Sequence, residues 1–304
     1  MSCSIGQSSL VTELDYLVIG HVTRDLVDGT FAIGGTASYA ARTVRALGCR
    51  IGVVTSASPD LDLSEVLDGA IVARFPAAMT TTFENIYTAD GRRQVLHGVA
   101  EMLVPEMVPT CWKAAIVHLG PVARECAPAL VDAFGDVFVG LTPQGWMRRW
   151  DHDGRVTCCQ WDDAEPLLAR ADAVVLSEED VRKDEAQVAW YADRTRLLVV
   201  TRGAAGCTVY VDGRGHHFSA PTVREVDPTG AGDIFAAAFF VRLRCGGDPW
   251  VAARFANCVA ARSVTRVGLA GTPDPDEIIR CKRVVRASNG QAGRSIVQSE
   301  GHAV

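Results

Sequence analysis

Short unbroken apolar runs alternate along this chain with longer stretches whose apolar residues recur at helical spacing. The runs Tyr16–Ile19 (closed by Gly20), Ile51–Thr55, Ala115–Leu119, Val137–Leu141, Ala173–Leu176 and Leu197–Thr201 have the length and unbroken hydrophobicity of strands buried on both faces. Between them, helical patterns fall at about 39–47, 123–134, 163–171 and 179–193, and longer ones follow at 231–245, 249–266 and 274–286. Elements in this order predict a mainly parallel sheet with helices on both faces. Residues 70–98 break the rhythm. Ile71–Phe75, Thr81–Thr88 and Arg93–His97 alternate like strands with one exposed face, and Ala89-Asp90-Gly91-Arg92 is a hairpin signal. This segment reads as a small β excursion from the main sheet. Another hairpin is expected over 207–218, and the tail 288–304, poor in apolar residues, is expected to be unstructured.

Composition narrows the class. The chain has 304 residues, 48% of them hydrophobic and 22% charged, with a net charge of -6. That suits a single globular domain over 1–287 and argues against nucleic acid as a partner. The ten cysteines show no Cys-x-x-Cys pair, so they read as small core residues in a reducing, cytoplasmic setting. No basic, apolar leader and no run long enough for a membrane span is present, so no membrane partner is expected.

The chemistry concentrates where glycines interrupt the pattern. Val226-Asp227-Pro228-Thr229-Gly230-Ala231-Gly232-Asp233-Ile234 is a loop that runs straight into an apolar helix. Small residues at a helix start leave backbone N–H groups unpartnered and open to a ligand, and the helix dipole favours an anion there. Asp233 sits in the same turn. A carboxylate beside an anion hole suits a hydroxyl that loses its proton as a phosphoryl group arrives, although Gly-x-Gly-Asp alone is also an ordinary helix cap. Three further loops end strands or begin helices: Gly20 to Asp25, Gly34-Gly35 before the helix at 39–47, and Thr201-Arg202-Gly203-Ala204-Ala205-Gly206. In open α/β sheets, ligands bind at that edge. Rival phosphate devices are missing. None of the three lysines (Lys113, Lys183, Lys282) follows a glycine as a P-loop requires, and no Gly-x-Gly-x-x-Gly follows the first strand. A metal-dependent hydrolase would need a His/Asp cluster that the sequence does not offer.

In this order, the Gly-x-x-x-x-Asp loop, the Gly-Gly helix start, Thr-x-Gly-x-x-Gly and the final Gly-Ala-Gly-Asp resemble the ribokinase-like (PfkB) carbohydrate kinase family over residues 16–285. The resemblance implies a three-layer α/β/α sandwich with a mainly parallel central sheet and a small β lid, here the 70–98 segment. It implies a phosphotransferase that moves the γ-phosphoryl group of ATP to a hydroxyl of a small polyol, sugar or nucleoside. Asp233 would be the base, and the N–H groups of Gly230, Ala231 and Gly232 the anion hole. Its helix-start position is expected to keep Asp233 ionised, with no need for a raised pKa. Asp25, Gly34, Gly35 and Tyr39 would lie on the substrate side, and Ser177, Thr201, Gly203, Gly206, Thr229 and Asn257 on the ATP side. Asn257 also reads as a helix-packing residue.

The sequence departs from the family pattern at Thr23 and Tyr39, where ribokinases carry Asn at sugar-contacting positions; ribose is therefore not the expected substrate. The Asn-x-x-Glu motif of the magnesium network stands here as Ser177-Glu178-Glu179-Asp180, which leaves Asp180 as a shortened partner for Mg2+. Asp227 and Thr229 are where a monovalent-cation loop would form. The Gly-Gly-x-Ala-Ser-aromatic start, the Thr80–Glu84 stretch and Leu141-Thr142-Pro143-Gln144-Gly145 are similar to the inositol-kinase-like branch, which points to a cyclitol such as myo-inositol. A nucleoside (adenosine-like) kinase and a catalytically quiet sugar- or nucleotide-binding regulator stand as alternatives. A monomer or homodimer is expected.

Overall fold

A computed structural model describes residues 11–27, 29–88 and 91–299. Nine strands form the large sheet, in the order 214–218, 207–211, 197–201, 173–177, 138–141, 116–119, 16–19, 51–57 and 71–76. The seven from 197–201 to 71–76 are parallel, and the 207–218 hairpin closes the other edge antiparallel. Alternation along each buried strand feeds two cores. Tyr16 and Val18 point into one, against helices Thr36–Ala46, Ala231–Gly246, Pro249–Ser263 and Pro275–Ser299. Leu17 and Ile19 point into the other, with helices Ala164–Arg170 and Glu185–Ala192 and the Trp146–Trp161 stacked pair. The three-layer α/β/α sandwich expected from the pattern is what forms.

The middle of helix Ala231–Gly246 lies inside the first core, with Ile234 through Val241 all buried, while Arg244 to Gly246 are exposed. Its apolar run there is continuous rather than striped, as suits a segment with no solvent face. Gly247 at φ 71° ends it, and Asp248 caps the next helix by accepting from Trp250 and Val251 N–H groups.

The second sheet has four strands, in the order 30–34, 23–27, 82–88 and 91–98. Half of this lid thus comes from 23–34, a stretch whose polar residues gave no strand signal. Conversely, Ile71–Pro76 is not part of the lid but the outer strand of the large sheet, paired with 51–57. Other local expectations give way to particular residues. Only a 3-10 turn over Pro128–Asp132 replaces the helix expected at 123–134, because Arg124 takes a left-handed φ of 61° and Pro128 starts the turn. The helix expected from 179 begins at Glu185, since Arg182 and Lys183 take left-handed φ (51° and 59°) and Asp184 then caps. Cys258 and Cys281, 23 residues apart, form a disulfide between the last two helices (Cα–Cα 5.7 Å), a pairing that no local spacing announces. The final helix continues through Ser299, past residue 288 where the tail was expected to begin; 300–304 lie outside the described residues.

Glu125 ties the lid's surroundings to the sheet. Its buried side-chain oxygens accept from the N–H groups of His21, Val122 and Ala123 (2.7–3.0 Å), joining the loops beyond 16–19 and 116–119. His21 in turn bonds Thr81 Oγ1 (2.7 Å) and the Glu101 carbonyl (2.9 Å) at the two roots of the lid hairpin. Removing the acceptor leaves buried N–H groups unpaired, so Glu125→Ala is expected to cost roughly 3 kcal/mol of stability, and Glu125→Gln less. Urea unfolding midpoints measure both.

Candidate active site

The loops after strands 16–19, 116–119, 138–141, 173–177 and 197–201 all open at the carboxyl edge of the large sheet, where the starts of helices Thr36–Ala46 and Ala231–Gly246 also arrive. The signature turn is held from behind. Val226 and Asp227 N–H groups donate to the Val264 carbonyl, and Asp227 accepts from Thr229 N–H (2.9 Å) and Gly268 N–H (2.7 Å). Gly230 has φ 76°, and a side chain there would run into the Tyr39 ring. Both facts require glycine. Ala231 N–H, expected in the anion hole, donates instead to the Pro228 carbonyl (3.1 Å); among the described residues, no carbonyl accepts from the N–H groups of Gly230, Gly232 or Asp233, and the space beside Gly232 is open. Three donors therefore point from a helix start into a cleft, which is an anion site by construction.

Asp233 is fixed by Thr36, whose hydroxyl donates to Oδ1 at 2.7 Å. Burial raises the carboxyl pKa to about 6; the Thr36 hydrogen bond and Arg148 pull it down, and Asp180 and Asp25 push it up. The expectation that the helix start alone keeps Asp233 at an ordinary carboxylate pKa is corrected here: desolvation outweighs it. Around it the Gly-Gly loop closes in. A side chain at Gly34 would meet the Asp25 carboxylate, and one at Gly35 (φ 86°) would meet the His21 carbonyl. Asp25 lies on lid strand 23–27, half-buried, accepting from Thr23 Oγ1 at 3.0 Å. Gly34, Gly35, Asp25, Thr36, Tyr39 and the 230–233 turn are thus brought together. Tyr39 is 2% exposed, with its ring against Gly230, so it forms a wall of the anion site; burial, and then Asp233, Asp25 and Asp227, raise its pKa.

On the other side, Ser177 and Thr201 are paired at the ends of adjacent strands. Thr201 Oγ1 donates to the Leu176 carbonyl (3.3 Å). Gly203 (φ 53°) faces open space, whereas Gly206 (φ 100°) is wedged against the Phe218 carbonyl. Asn257 is buried, with its amide donating to the Phe218 carbonyl (2.9 Å) and toward Cys207 Sγ (3.5 Å). In this structure it joins helix to hairpin instead of opening to the cleft. Asp180 closes its own turn, taking Ser177 N–H at 2.9 Å and Gln144 Nε2 at 3.2 Å, and burial raises its pKa. No cluster of three His, Cys, Asp or Glu side chains that could cage a metal exists among the described residues. The scattered carboxylates fit a magnesium ion carried chiefly by phosphate oxygens and water rather than by a protein cage.

Three residues near the chemistry escaped the sequence reading. Thr36 follows Gly-Gly directly at a helix start, and that position was its signal. Glu125 gave none. Arg148 stands in Trp146-Met147-Arg148-Arg149-Trp150, just past the sheet edge at Leu141, and an arginine pair between tryptophans there was a usable hint.

A family model described as pfkB family carbohydrate kinase matches residues 162–276. A cytidine kinase of Thermococcus kodakarensis is 32% identical over 254 residues, covering 74% of this chain and 87% of its own. An inositol 3-kinase of Zea mays is 27% identical over 298 residues, covering 84% and 73%. Among solved structures, a pyrophosphate-dependent kinase in the ribokinase family, complexed with a pyrophosphate analog and myo-inositol, superposes with a TM-score of 0.73 at 23% identity over 83% of this chain and 96% of that one. Arabidopsis thaliana ribokinase complexed with ribose and ATP does so at 0.67 and 19%, over 89% and 99%. The fold and site are those of a small-molecule kinase. The chain belongs to the pfkB family of carbohydrate kinases.

With Asp233 as the expected base, kcat/KM is expected to fall as pH drops through about 6. Thr36→Val removes a bond that favours the ionised form, so the acid limb should move to higher pH, as pH–rate profiles of both proteins will show.

Proposed function

We propose that this chain, as one kinase domain over 1–287, transfers the γ-phosphoryl group of ATP to a hydroxyl of a small polyhydroxylated substrate, a cyclitol such as myo-inositol being the first choice. The observation that carries this reading is the Thr36–Asp233 pair beside the unpartnered N–H groups of Gly230, Gly232 and Asp233. Asp25 and the Gly34-Gly35 turn bind and orient the acceptor, leaving one hydroxyl at Asp233. Asp233 takes that proton while the hydroxyl oxygen's electron pair forms the new P–O bond. The bond to the β–γ bridging oxygen breaks, and its pair leaves with ADP. The helix-start N–H groups hold the phosphoryl oxygens as charge gathers there, which is where most of the rate enhancement of such transfers arises. ATP supplies the phosphoryl group, and Mg2+ held with its phosphates lowers their charge. Ser177, Thr201, Gly203, Gly206 and Thr229 would face the donor, and Asp180 the magnesium. The inositol 3-kinase relative and the neighbour holding myo-inositol support the cyclitol. The cytidine kinase relative favours a nucleoside as second reading.

Product formation with ATP and with pyrophosphate, across cyclitols, sugars and nucleosides, tests the proposal. Turnover is expected with ATP and one acceptor class. Asp233→Asn should lower kcat by roughly 100- to 10,000-fold while ATP still binds; wild-type turnover in that variant would remove Asp233 as the base.

A further inference from the structure

Four carboxylates, Asp25, Asp180, Asp227 and Asp233, surround a cleft that must admit a phosphate chain. Asp25 and Asp180 act on Asp233, and Asp227 acts with Asp25 and Asp233 on Tyr39. Negative charge at this density opposes a polyanion, and three N–H dipoles offset only part of it. Arg148 faces them from the other wall. It lies on the short strand Arg148–Trp150, paired antiparallel with Val156–Cys158. Its Nη1 donates to the Val122 carbonyl at 2.9 Å, and its guanidinium lies 5.3 Å from the centroid of the Phe83 ring on lid strand 82–88. Val122 belongs to the loop Gly120-Pro121-Val122, and a side chain at Gly120 would strike Thr36, the residue that holds Asp233. The same wall carries Gln144, bonded to Asp180. One short loop therefore separates the guanidinium from the catalytic carboxylate, and both Asp233 and Asp180 feel its charge.

We propose that Arg148 donates to a non-bridging oxygen of the phosphoryl group in flight, opposite the helix-start N–H groups, and that its seat on Phe83 joins this contact to the lid. This rests on the function proposed above. The bonds made and broken are those already given; Arg148 exchanges no proton or electron and supplies fixed positive charge in a fork suited to two oxygens. The seat on Phe83, on lid strand 82–88, ties the cation to the acceptor side and would couple acceptor binding to charge stabilisation.

Arg148→Met, Arg148→Ala and Arg148→Lys, made in the full chain, test the idea. Loss of such a cation is expected to lower kcat by roughly 100-fold or more, with the acceptor KM within about threefold of wild type. Millimolar guanidinium should restore part of the loss in Arg148→Ala, and Arg148→Lys should retain more activity than Arg148→Met. Two readouts need no turnover. Inorganic phosphate, titrated into the unliganded protein and followed by calorimetry, should bind about tenfold more weakly to Arg148→Met, the loss of roughly one charged hydrogen bond. Carboxyl-carbon NMR should place Asp233 above its wild-type pKa, because Arg148 pulls it down against burial and the charges of Asp25 and Asp180, with Thr36 and Tyr39 unchanged. Unchanged phosphate affinity, or a loss confined to acceptor KM, would overturn the proposal. If the wild type phosphorylates nothing, the assigned function fails while phosphate binding still decides the role of Arg148.

Discussion

The structure depends on a helix start that is packed from behind, open in front, and withholds carbonyl partners from its first N–H groups. A donor without a protein partner costs on the order of 1–3 kcal/mol once it is shut from water, and this turn carries three such donors among the described residues. The fold supports them by over-determining the turn. Asp227 grips it from both sides, Val264 receives two of its N–H groups, and Tyr39 fills the place of any side chain at Gly230. Behind it, the unbroken apolar run from Ile234 to Phe240 offers the helix no alternative placement. The local cost is repaid only when an anion arrives, and a transferring phosphoryl group is such an anion.

Burial also sets the Asp233 carboxyl. A carboxylate at a helix start would ordinarily be stabilised as the anion. Here desolvation dominates, and the balance among Thr36, Arg148, Asp180 and Asp25 leaves Asp233 at about 6. A carboxyl of that strength is ionised at neutral pH, and in the proposed function it would be basic enough to accept a hydroxyl proton late in the transfer. His118 below it shows the opposite use of burial. It is pushed down to about 3 and stays neutral between Tyr16 and Thr142, serving as a packing group against Phe240.

What the chain discloses in one dimension follows from how each feature is specified. Six of the seven parallel strands were legible because each is buried on both faces, so its apolar run is local in sequence; the outer strand 71–76 is only partly buried and read as part of the lid. The 230–233 turn was legible because positive φ and close approach demand glycine. The lid was half hidden. Residues 23–34 pair to make strands, but Thr23, Asp25, Thr30 and Phe31 show no clean alternation, because most of this pair is exposed or only partly buried. The Glu125–His21, Arg148–Val122 and Cys258–Cys281 contacts join residues 104, 26 and 23 positions apart. No window of sequence contains both halves of such an interaction.

That division has a consequence for specificity. The donor end and the base are held by backbone conformation and buried packing, so substitutions there are strongly constrained. The acceptor end is held by lid strands that pair through backbone hydrogen bonds, which leaves their side chains free to vary. Thr23 and Tyr39 stand where ribokinases carry asparagine, and the two have different fates. Thr23 is buried and spends its hydroxyl on Asp25, so it sets the carboxylate's position without needing to touch an acceptor. Tyr39 has turned to the signature turn and become part of the phosphate wall. Two hydrogen-bonding side chains have therefore left the acceptor cavity without being replaced at the same positions. In the proposed function, an acceptor would present its hydroxyls chiefly to Asp25 and the backbone of Gly34 and Gly35, an arrangement that would favour a compact ring whose hydroxyls converge on one side.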